Sequence, residues 1–487
     1  MRLKTASAIA FPLATIGTFA AVLFVAVNAR GRSGWETYST AARERGVKMS
    51  LQDFLPPAVP NAENFAAVPL FERVFTDDKT AREKGQQALS LPAEDGKPKL
   101  SAIGDAHLID LAEWQAAFVQ SKDLTAAGND PATDVLSAIE ARCGAALAEL
   151  AEAERRPRSR FPVKWELGFG ALLPHLQILQ SASRIHQLRM AAHLAREESA
   201  MAYGEFRGAL RDVRALEGEP VLISLLVRVA GLNTTLSGVW DGLIRGRWSD
   251  AELAGIETDL ASLNLLADYQ WNLSGERGFM NDTFTRMRAS DPATLEMLKA
   301  VTNSSGPEAM MAHMARVPGY IHFNQVRLNR YFDARLECID PVAMQLRAMP
   351  ADAVDLITLK EQSSFLERAF FSLSFLTAPA LENVEQSCLH GQTMIHLTRV
   401  ACALERARRS DGAYPEVLDA LAPKYISALP HDIITGKPLR YRRAADSRFL
   451  LYSVGMNRAD EGGAIGDNAN AREHPDWVWR WPERSER

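Results

Sequence analysis

An uncharged, largely apolar stretch near the start of the chain runs from Ala6 to Val27. Its 22 residues would form about 33 Å of α-helix, which is enough to cross the hydrocarbon core of a bilayer. The run is longer than the apolar segment of most cleavable signal peptides, although cleavage before Arg30 is the alternative. The pattern therefore predicts a transmembrane anchor over residues 1–29, in contact with lipid through residues 6–27.

The charges around this stretch bear on the orientation of the protein. Basic residues flank the stretch on both sides, so the positive-inside rule does not decide the orientation by itself. A basic segment followed by an apolar one nevertheless favours an inside N-terminus and an exported body. We therefore expect a single-pass protein of the inner (cytoplasmic) membrane, with its body on the periplasmic or extracytoplasmic side.

Residues 30–104 show little hydrophobic periodicity and contain a cluster of prolines. Prolines at this density favour extended, polyproline-like chain. The segment is therefore predicted to be a partly ordered spacer. Short apolar pieces within it, such as Phe65 to Phe75, are expected to dock onto the body.

Apolar residues at helical spacing dominate residues 105–387, and strand-like alternation is scarce there. Ser249 and Glu252 form a capping box in front of a run with an apolar helical face. The apolar run from Val221 to Val227 is too short to span a bilayer, so it is predicted to be a buried core helix. This segment is expected to form a mainly α body, either a helical bundle or irregularly stacked helices.

The pattern changes again over residues 388–487, which are predicted to form a small α+β domain. An amphipathic helix is expected over Thr393 to Arg409, and two strands over Leu439 to Arg443 and Arg448 to Val454. Three tryptophans then alternate with other residues, so that they share one side of an extended segment. They either cover the core of this domain or bind a partner, and they are Trp477, Trp479 and Trp481.

Four short motifs follow one another in this C-terminal segment. They are Gly412-Ala413-Tyr414-Pro415, Gly436-Lys437-Pro438-Leu439, Tyr452-Ser453-Val454-Gly455 and Asp460-Glu461-Gly462-Gly463. Over about 90 of the 487 residues, their order resembles the soluble domain of the major pseudopilins of type II secretion. About 360 residues separate this segment from the N-terminal helix, and the pilin processing signal is missing, so a pilus subunit is not expected. The whole layout also resembles membrane-anchored bacterial envelope proteins of unknown activity.

The resemblance to pseudopilins implies a calcium site, because their acidic loop binds that ion. Asp460 and Asp467 are the preferred carboxylate ligands here, and Asn457 and Asn468 are secondary ones, with Glu461 as a substitute. The alternative is a solvated loop rich in turns, since the spacing does not match an EF-hand. Ca²⁺ is therefore the one candidate cofactor that the sequence offers.

Three histidines form a second group of candidate ligands. His175, His186 and His193 are separated by 11 and 7 residues, which places them on one face of a single helix, with Glu197 one turn further on. Separations of roughly 16 and 10 Å along the axis are too long for the three to bind one ion. A metal site would need ligands from a partner helix. Histidines at the surface or at the edge of the core are the favoured interpretation.

Composition and missing motifs exclude several classes of protein. With 55 basic and 60 acidic residues the formal charge is −5, which argues against a nucleic-acid partner. Four cysteines without a CxxC motif exclude a disulfide-dense scaffold or a zinc ribbon, and buried free thiols are expected. The common metalloprotease, Walker A and serine-hydrolase motifs are absent.

These exclusions favour a non-catalytic exported protein whose helical body binds other envelope proteins. One alternative is an accessory component of a secretion or pilus-like assembly, since the tail resembles pseudopilins. A second alternative is a hydrolase of envelope polymers with its site in the helical body, because catalytic groups often come from distant parts of a chain.

Overall fold

The computed structural model describes residues 2–92, 98–128, 130–292, 294, 317–350, 355–444, 448–466, 471–473 and 475–482. Helices hold 62% of the residues, and the strands form two small sheets. The mainly α fold class is therefore confirmed. All four cysteines are buried and unpaired, as expected.

The helices of four residues or more in the described part of the chain are numbered in chain order. They are α1 (Arg2–Glu44), α2 (Pro69–Glu72), α3 (Lys79–Gln86), α4 (Leu111–Gln120), α5 (Pro131–Glu154), α6 (Pro174–Ala195), α7 (Ser199–Arg214), α8 (Leu222–Ile244), α9 (Asp250–Ala261), α10 (Leu265–Arg288), α11 (Pro318–Cys338), α12 (Leu356–Gln362), α13 (Phe365–Phe370) and α14 (Ser372–Asp411). Short 3₁₀ turns cover Leu51–Phe54, Asn61–Glu63, Trp165–Gly170, Leu418–Leu421 and Ala471–Glu473.

The strands form two antiparallel sheets. The strands β1 (Ile339–Asp340) and β2 (Gln345–Leu346) pair with each other. The strands β3 (Arg440–Arg443), β4 (Phe449–Ser453) and β5 (Trp477–Val478) form a second sheet in that order. The two strands predicted in the C-terminal segment correspond to β3 and β4.

The helix α8 lies at the centre of the body, where it packs against α6, α7, α10 and α14. Helix α8 is long and apolar enough to cross a membrane, yet 67% of its most apolar 18-residue stretch is buried inside the protein. Its buried Arg228 is paired with Glu217 and Asp268. A helix that is apolar on most sides and enclosed by other helices is a core helix, as the run from Val221 to Val227 predicts.

The described part of the predicted spacer is packed against the body. Helix α1 covers its first residues, up to Glu44. Further along, Phe65, Phe71 and Leu89 are fully buried, and they share a hydrophobic core with residues of α4, α5 and α6. The docking expected for the segment from Phe65 to Phe75 is therefore seen, and it extends to later residues.

The C-terminal segment shares its core with the helical body. Helix α14 runs without interruption through residue 388, so the predicted domain boundary falls inside a helix. Trp477 and Trp479 are buried in the same apolar cluster as Trp240 of α8. The Trp240 indole donates a hydrogen bond of 2.9 Å to the carbonyl of Arg480. The alternating tryptophans thus pack against the protein itself.

Candidate metal centre

A histidine and two carboxylates meet where α5, α6 and α7 pack together. Glu154 is the last residue of α5, His186 lies in the middle of α6 and Asp212 lies near the end of α7. His186 is 6% exposed and Asp212 is fully buried, whereas the side chain of Glu154 is 20% exposed. One nitrogen or oxygen from each side chain lies within 4.8 Å of the other two.

Two distances within this cluster match those between the ligands of a small metal ion. His186 Nε2 lies 3.4 Å from Glu154 Oε1 and 3.4 Å from Asp212 Oδ2. A tetrahedral ion with bonds of about 2.1 Å places its ligand atoms about 3.4 Å apart. Among the described residues, neither His186 Nε2 nor either carboxylate oxygen of Asp212 has a hydrogen-bond partner, although buried polar atoms are normally paired. Two of the three candidate ligands therefore offer metal-binding atoms that are left without partners.

The remaining ring nitrogen of His186 is held by a third carboxylate. Glu205 Oε2 lies 2.7 Å from His186 Nδ1, and Glu205 Oε1 accepts a hydrogen bond of 2.8 Å from Arg189 Nε. When Nδ1 donates its proton to Glu205, Nε2 carries the lone pair. Metal-binding histidines commonly have such a carboxylate partner, which fixes the tautomer and the orientation of the ring.

The charges of the cluster shift the pKa values of its members. Burial opposes the charged form of His186, but its contacts with Asp212, Glu154 and Glu205 outweigh burial and raise its pKa well above the usual value. Burial raises the pKa of Asp212 above its usual value, against the attraction of His186. Burial also opposes ionisation of Glu205, yet His186 and Arg189 lower its pKa to about 2. The carboxylates thus attract a cation, either the imidazolium proton or a metal that displaces it.

A cleft of about 490 Å³ lies beside the cluster, and both Glu154 and Gly208 line it. A Cβ atom on Gly208 would lie 2.9 Å from His186 Cε1 and 3.0 Å from Glu154 Oε2. A side chain at this position would therefore crowd the ligands. Three protein ligands beside an accessible cleft are typical of catalytic metal sites, where a fourth position is kept for water or substrate.

The three histidines predicted to share a helical face all lie on α6, and all three are buried. His175 is fully buried, so the favoured interpretation, a position at the surface or at the edge of the core, is wrong for this residue. As their spacing predicts, the three side chains do not converge on one point. His175 Nε2 lies 2.9 Å from Glu219 Oε1, and His193 Nδ1 lies 2.8 Å from Glu198 Oε2. In the described part of the chain, only His186 belongs to a group with metal-ligand spacing.

The acidic C-terminal loop is described only up to residue 466, so the predicted ligands Asp467 and Asn468 lie outside the described residues. The preferred ligand Asp460 has partners of its own. Its Oδ2 accepts a hydrogen bond of 2.9 Å from Arg440 Nε, and its Oδ1 accepts one of 2.8 Å from the hydroxyl of Tyr452. These bonds would have to be shared or broken for Asp460 to bind calcium.

The other described residues of the loop also bond within the protein. Asn457 Nδ2 donates a hydrogen bond of 2.8 Å to Glu461 Oε1. The buried carboxylate of Asp476 accepts hydrogen bonds from the backbone amides of Gly463 and Ala464, at 2.8 and 3.1 Å. A calcium site in this loop stays a prediction.

The carboxylates around His186 are the functional candidates that the sequence analysis missed. Glu197, which it named as a neighbour of the histidines, pairs with Arg247 on the surface. One signal of these carboxylates was present in the sequence, because Glu205 and Asp212 are seven residues apart and so share a face of α7.

No family model, curated protein or solved structure matches the chain. The interpretation of the cluster rests on its own geometry.

Proposed function

We propose that this protein is a membrane-anchored metalloprotein whose helical body binds a divalent transition-metal ion through Glu154, His186 and Asp212. The observation that carries the proposal is the pair of 3.4 Å separations of His186 Nε2 from Glu154 Oε1 and Asp212 Oδ2, where the atoms of His186 and Asp212 have no hydrogen-bond partner among the described residues. Two carboxylates balance the charge of a divalent ion inside the protein. The imidazole favours ions such as Zn²⁺ over Mg²⁺ or Ca²⁺, which prefer oxygen ligands throughout.

A metal ion in this position supports the alternative of a hydrolase with its site in the helical body. With three protein ligands, the ion keeps a coordination position for water and lowers the pKa of that water toward 7. The competing proposal is a non-catalytic body that binds envelope proteins or a secretion assembly. That proposal does not require the cluster, so a metal-binding experiment separates the two.

The first helix supports the proposed anchor in the inner membrane. Phe19 and Val25 are 71% and 64% exposed, so this apolar part of α1 has little packing against the body. The second half of α1 packs along α11. There the Asn28 side-chain oxygen accepts a hydrogen bond of 2.6 Å from the amide of Gly319. Cleavage before Arg30 would remove this contact, which favours a retained anchor over a signal peptide.

Zinc titration of the full-length protein in neutral detergent tests the metal centre. After removal of metals with EDTA and removal of the EDTA, we expect calorimetry to show one Zn²⁺ per chain. Asp212→Asn keeps the shape of the side chain but removes a charged ligand. Loss of a group that only orients a ligand costs about 10- to 100-fold in metal affinity, so we expect this variant to lose about 100-fold or more. Asp259→Asn is the matched control, because Asp259 lines the same cleft without joining the cluster.

Two results would refute the metal centre. One is the absence of saturable zinc binding by the wild-type protein. The other is equal zinc affinity in Asp212→Asn and the wild type. Circular dichroism of each variant checks that the helical fold is kept, so that a loss of binding is assigned to the ligand.

A further inference from the structure

Four arginines line the cleft beside the metal centre. Arg207, Arg211 and Arg214 are spaced by four and three residues along α7, which places them on one face of that helix, and Arg155 follows the end of α5. From this arrangement we infer that the cleft binds the phosphate group of a small soluble ligand next to the metal ion. The inference rests on the proposed function, because it names the ligand class of the same site.

The positive charge of the cleft exceeds the negative charge within it. The lining holds four arginines against two acidic residues, Glu154, which is assigned to the metal, and Asp259, while Arg155 is paired with Glu152 at 3.0 Å. Asp259 already accepts a hydrogen bond of 2.9 Å from the hydroxyl of Tyr203. Arg207 is exposed, and no hydrogen bond or ion pair joins it to another described residue. Its guanidinium group is therefore free to bind an anion.

Two of the arginines are held in place by neutral groups. Arg211 Nε donates a hydrogen bond of 3.1 Å to the carbonyl of Arg156, and its guanidinium carbon lies 4.9 Å from the centre of the Phe65 ring. Arg214 donates a hydrogen bond of 3.3 Å to the backbone carbonyl of Asp259. Carbonyls and aromatic rings orient a guanidinium group without cancelling its full charge. These side chains are thus positioned before a ligand arrives.

The chemistry of the lining favours phosphate over other anions. Guanidinium groups bind phosphate through two parallel hydrogen bonds, and arginine is the usual residue where such paired recognition is needed. Sites that act on phosphoryl groups commonly combine arginine with a divalent metal. A cleft of about 490 Å³ has room for a phosphate monoester. The net charge of the chain, −5, disfavours nucleic acid as the source of that phosphate.

Inorganic phosphate is the probe for this inference. The full-length protein in neutral detergent and phosphate-free buffer would be titrated with phosphate, both with saturating Zn²⁺ and without metal. We expect one phosphate per chain, and we expect Arg207→Gln to weaken binding about tenfold or more. Arg184→Gln is the matched control, because Arg184 is an exposed arginine on α6 outside the lining of the cleft. Zinc stoichiometry should be the same in both variants.

The outcomes separate this inference from the proposed function. If zinc binds but phosphate does not, or if Arg207→Gln and Arg184→Gln bind phosphate equally, the inference is overturned and the metal centre stands. If zinc does not bind but phosphate binding still depends on Arg207, the metal centre fails and the anion cleft stands. A parallel titration with phosphatidylglycerol micelles tests the lipid source, and binding to these micelles alone would overturn a small soluble ligand.

Discussion

Gly208 and Gly204 lie one turn apart on α7 and provide a matched pair of substitutions. Alanine is more favourable than glycine in a helix interior by about 1 kcal/mol, and both substitutions gain this stabilisation. At Gly204 nothing lies within 4 Å of an added Cβ atom, whereas at Gly208 the Cβ would lie 2.9 Å from His186 Cε1. Only Gly208→Ala therefore disturbs the proposed metal centre.

The size of the effect follows from how His186 is held. Its ring cannot turn away freely, because Nδ1 is bonded to Glu205, which in turn is bonded to Arg189. The added methyl group must shift the ring and so change the 3.4 Å separations of Nε2 from the two carboxylates. Disturbing the groups that orient a metal ligand typically lowers metal affinity by about 10- to 100-fold. We expect a loss of this size for Gly208→Ala and none for Gly204→Ala.

Two measurements on the full-length protein in detergent check this prediction. Calorimetry gives the zinc affinity, and urea unfolding followed by circular dichroism gives the stability. Gly204→Ala should be more stable than the wild type by about 1 kcal/mol. Gly208→Ala should gain less, because crowding in a packed interior costs about 1–3 kcal/mol. Equal zinc affinity in the two variants would refute the proposed geometry of the site.

Three further predictions concern other parts of the molecule. Burial raises the pKa of Glu276, whose carboxylate accepts a backbone hydrogen bond of 3.1 Å from Leu222. The free energy of unfolding should therefore fall as pH rises from 4.5 to the raised pKa, by up to about 1.4 kcal/mol for each pH unit. Urea unfolding at pH 5 and 7 should show a smaller loss for Glu276→Gln, and an equal loss would contradict this cause. Gly319→Ala should loosen the packing of α1, because the new Cβ would lie 2.5 Å from the carbonyl oxygen of Val27. Hydrogen exchange of the α1 amides should then become faster, and unchanged exchange would contradict this close packing. If the acidic loop binds calcium, free calcium at 100 times its dissociation constant should stabilise the protein by about 2.7 kcal/mol, and Asp460→Ala should lose this effect. Equal melting temperatures in calcium and in EDTA would exclude the site.

The elements that the sequence predicted are those whose signals are local. Ser249 and Glu252 cap each other's backbone amides at the start of α9, with Ser249 N 2.8 Å from Glu252 Oε2. Both partners lie within four residues of each other, so the pattern is visible in the chain. The strands β3 and β4 are likewise separated by a short connection, and their predicted bounds agree with those observed to within one residue at each end.

The continuation of α1 beyond the anchor could not be predicted in the same way. Little hydrophobic periodicity and a cluster of prolines predicted a partly ordered spacer from residue 30 onward. In the structure the helix continues because its second half packs on α11, where a Cβ on Gly31 would lie 2.6 Å from the carbonyl oxygen of Gly319. The close approach that requires this glycine involves a residue 288 positions away along the chain.

The candidate metal centre depends on tertiary packing in the same way. Glu154, His186 and Asp212 are separated by 32 and 26 residues, and no short motif contains two of them. Periodicity correctly placed the histidines on one helical face, and it predicted that they could not bind one ion together. The carboxylates that complete the cluster come from α5 and α7, and their approach is set by how three helices pack.

X-ray absorption spectroscopy of the zinc-loaded protein reports the atoms bound to the metal and so tests the ligands of the proposed metal centre. We expect one zinc ion per chain with one imidazole and carboxylate oxygens at about 2.0–2.2 Å. We also expect Asp212→Asn to retain little zinc after dialysis, while Asp259→Asn retains one ion per chain. A spectrum with no imidazole, or with several, would contradict the assignment of Glu154, His186 and Asp212 as the ligands.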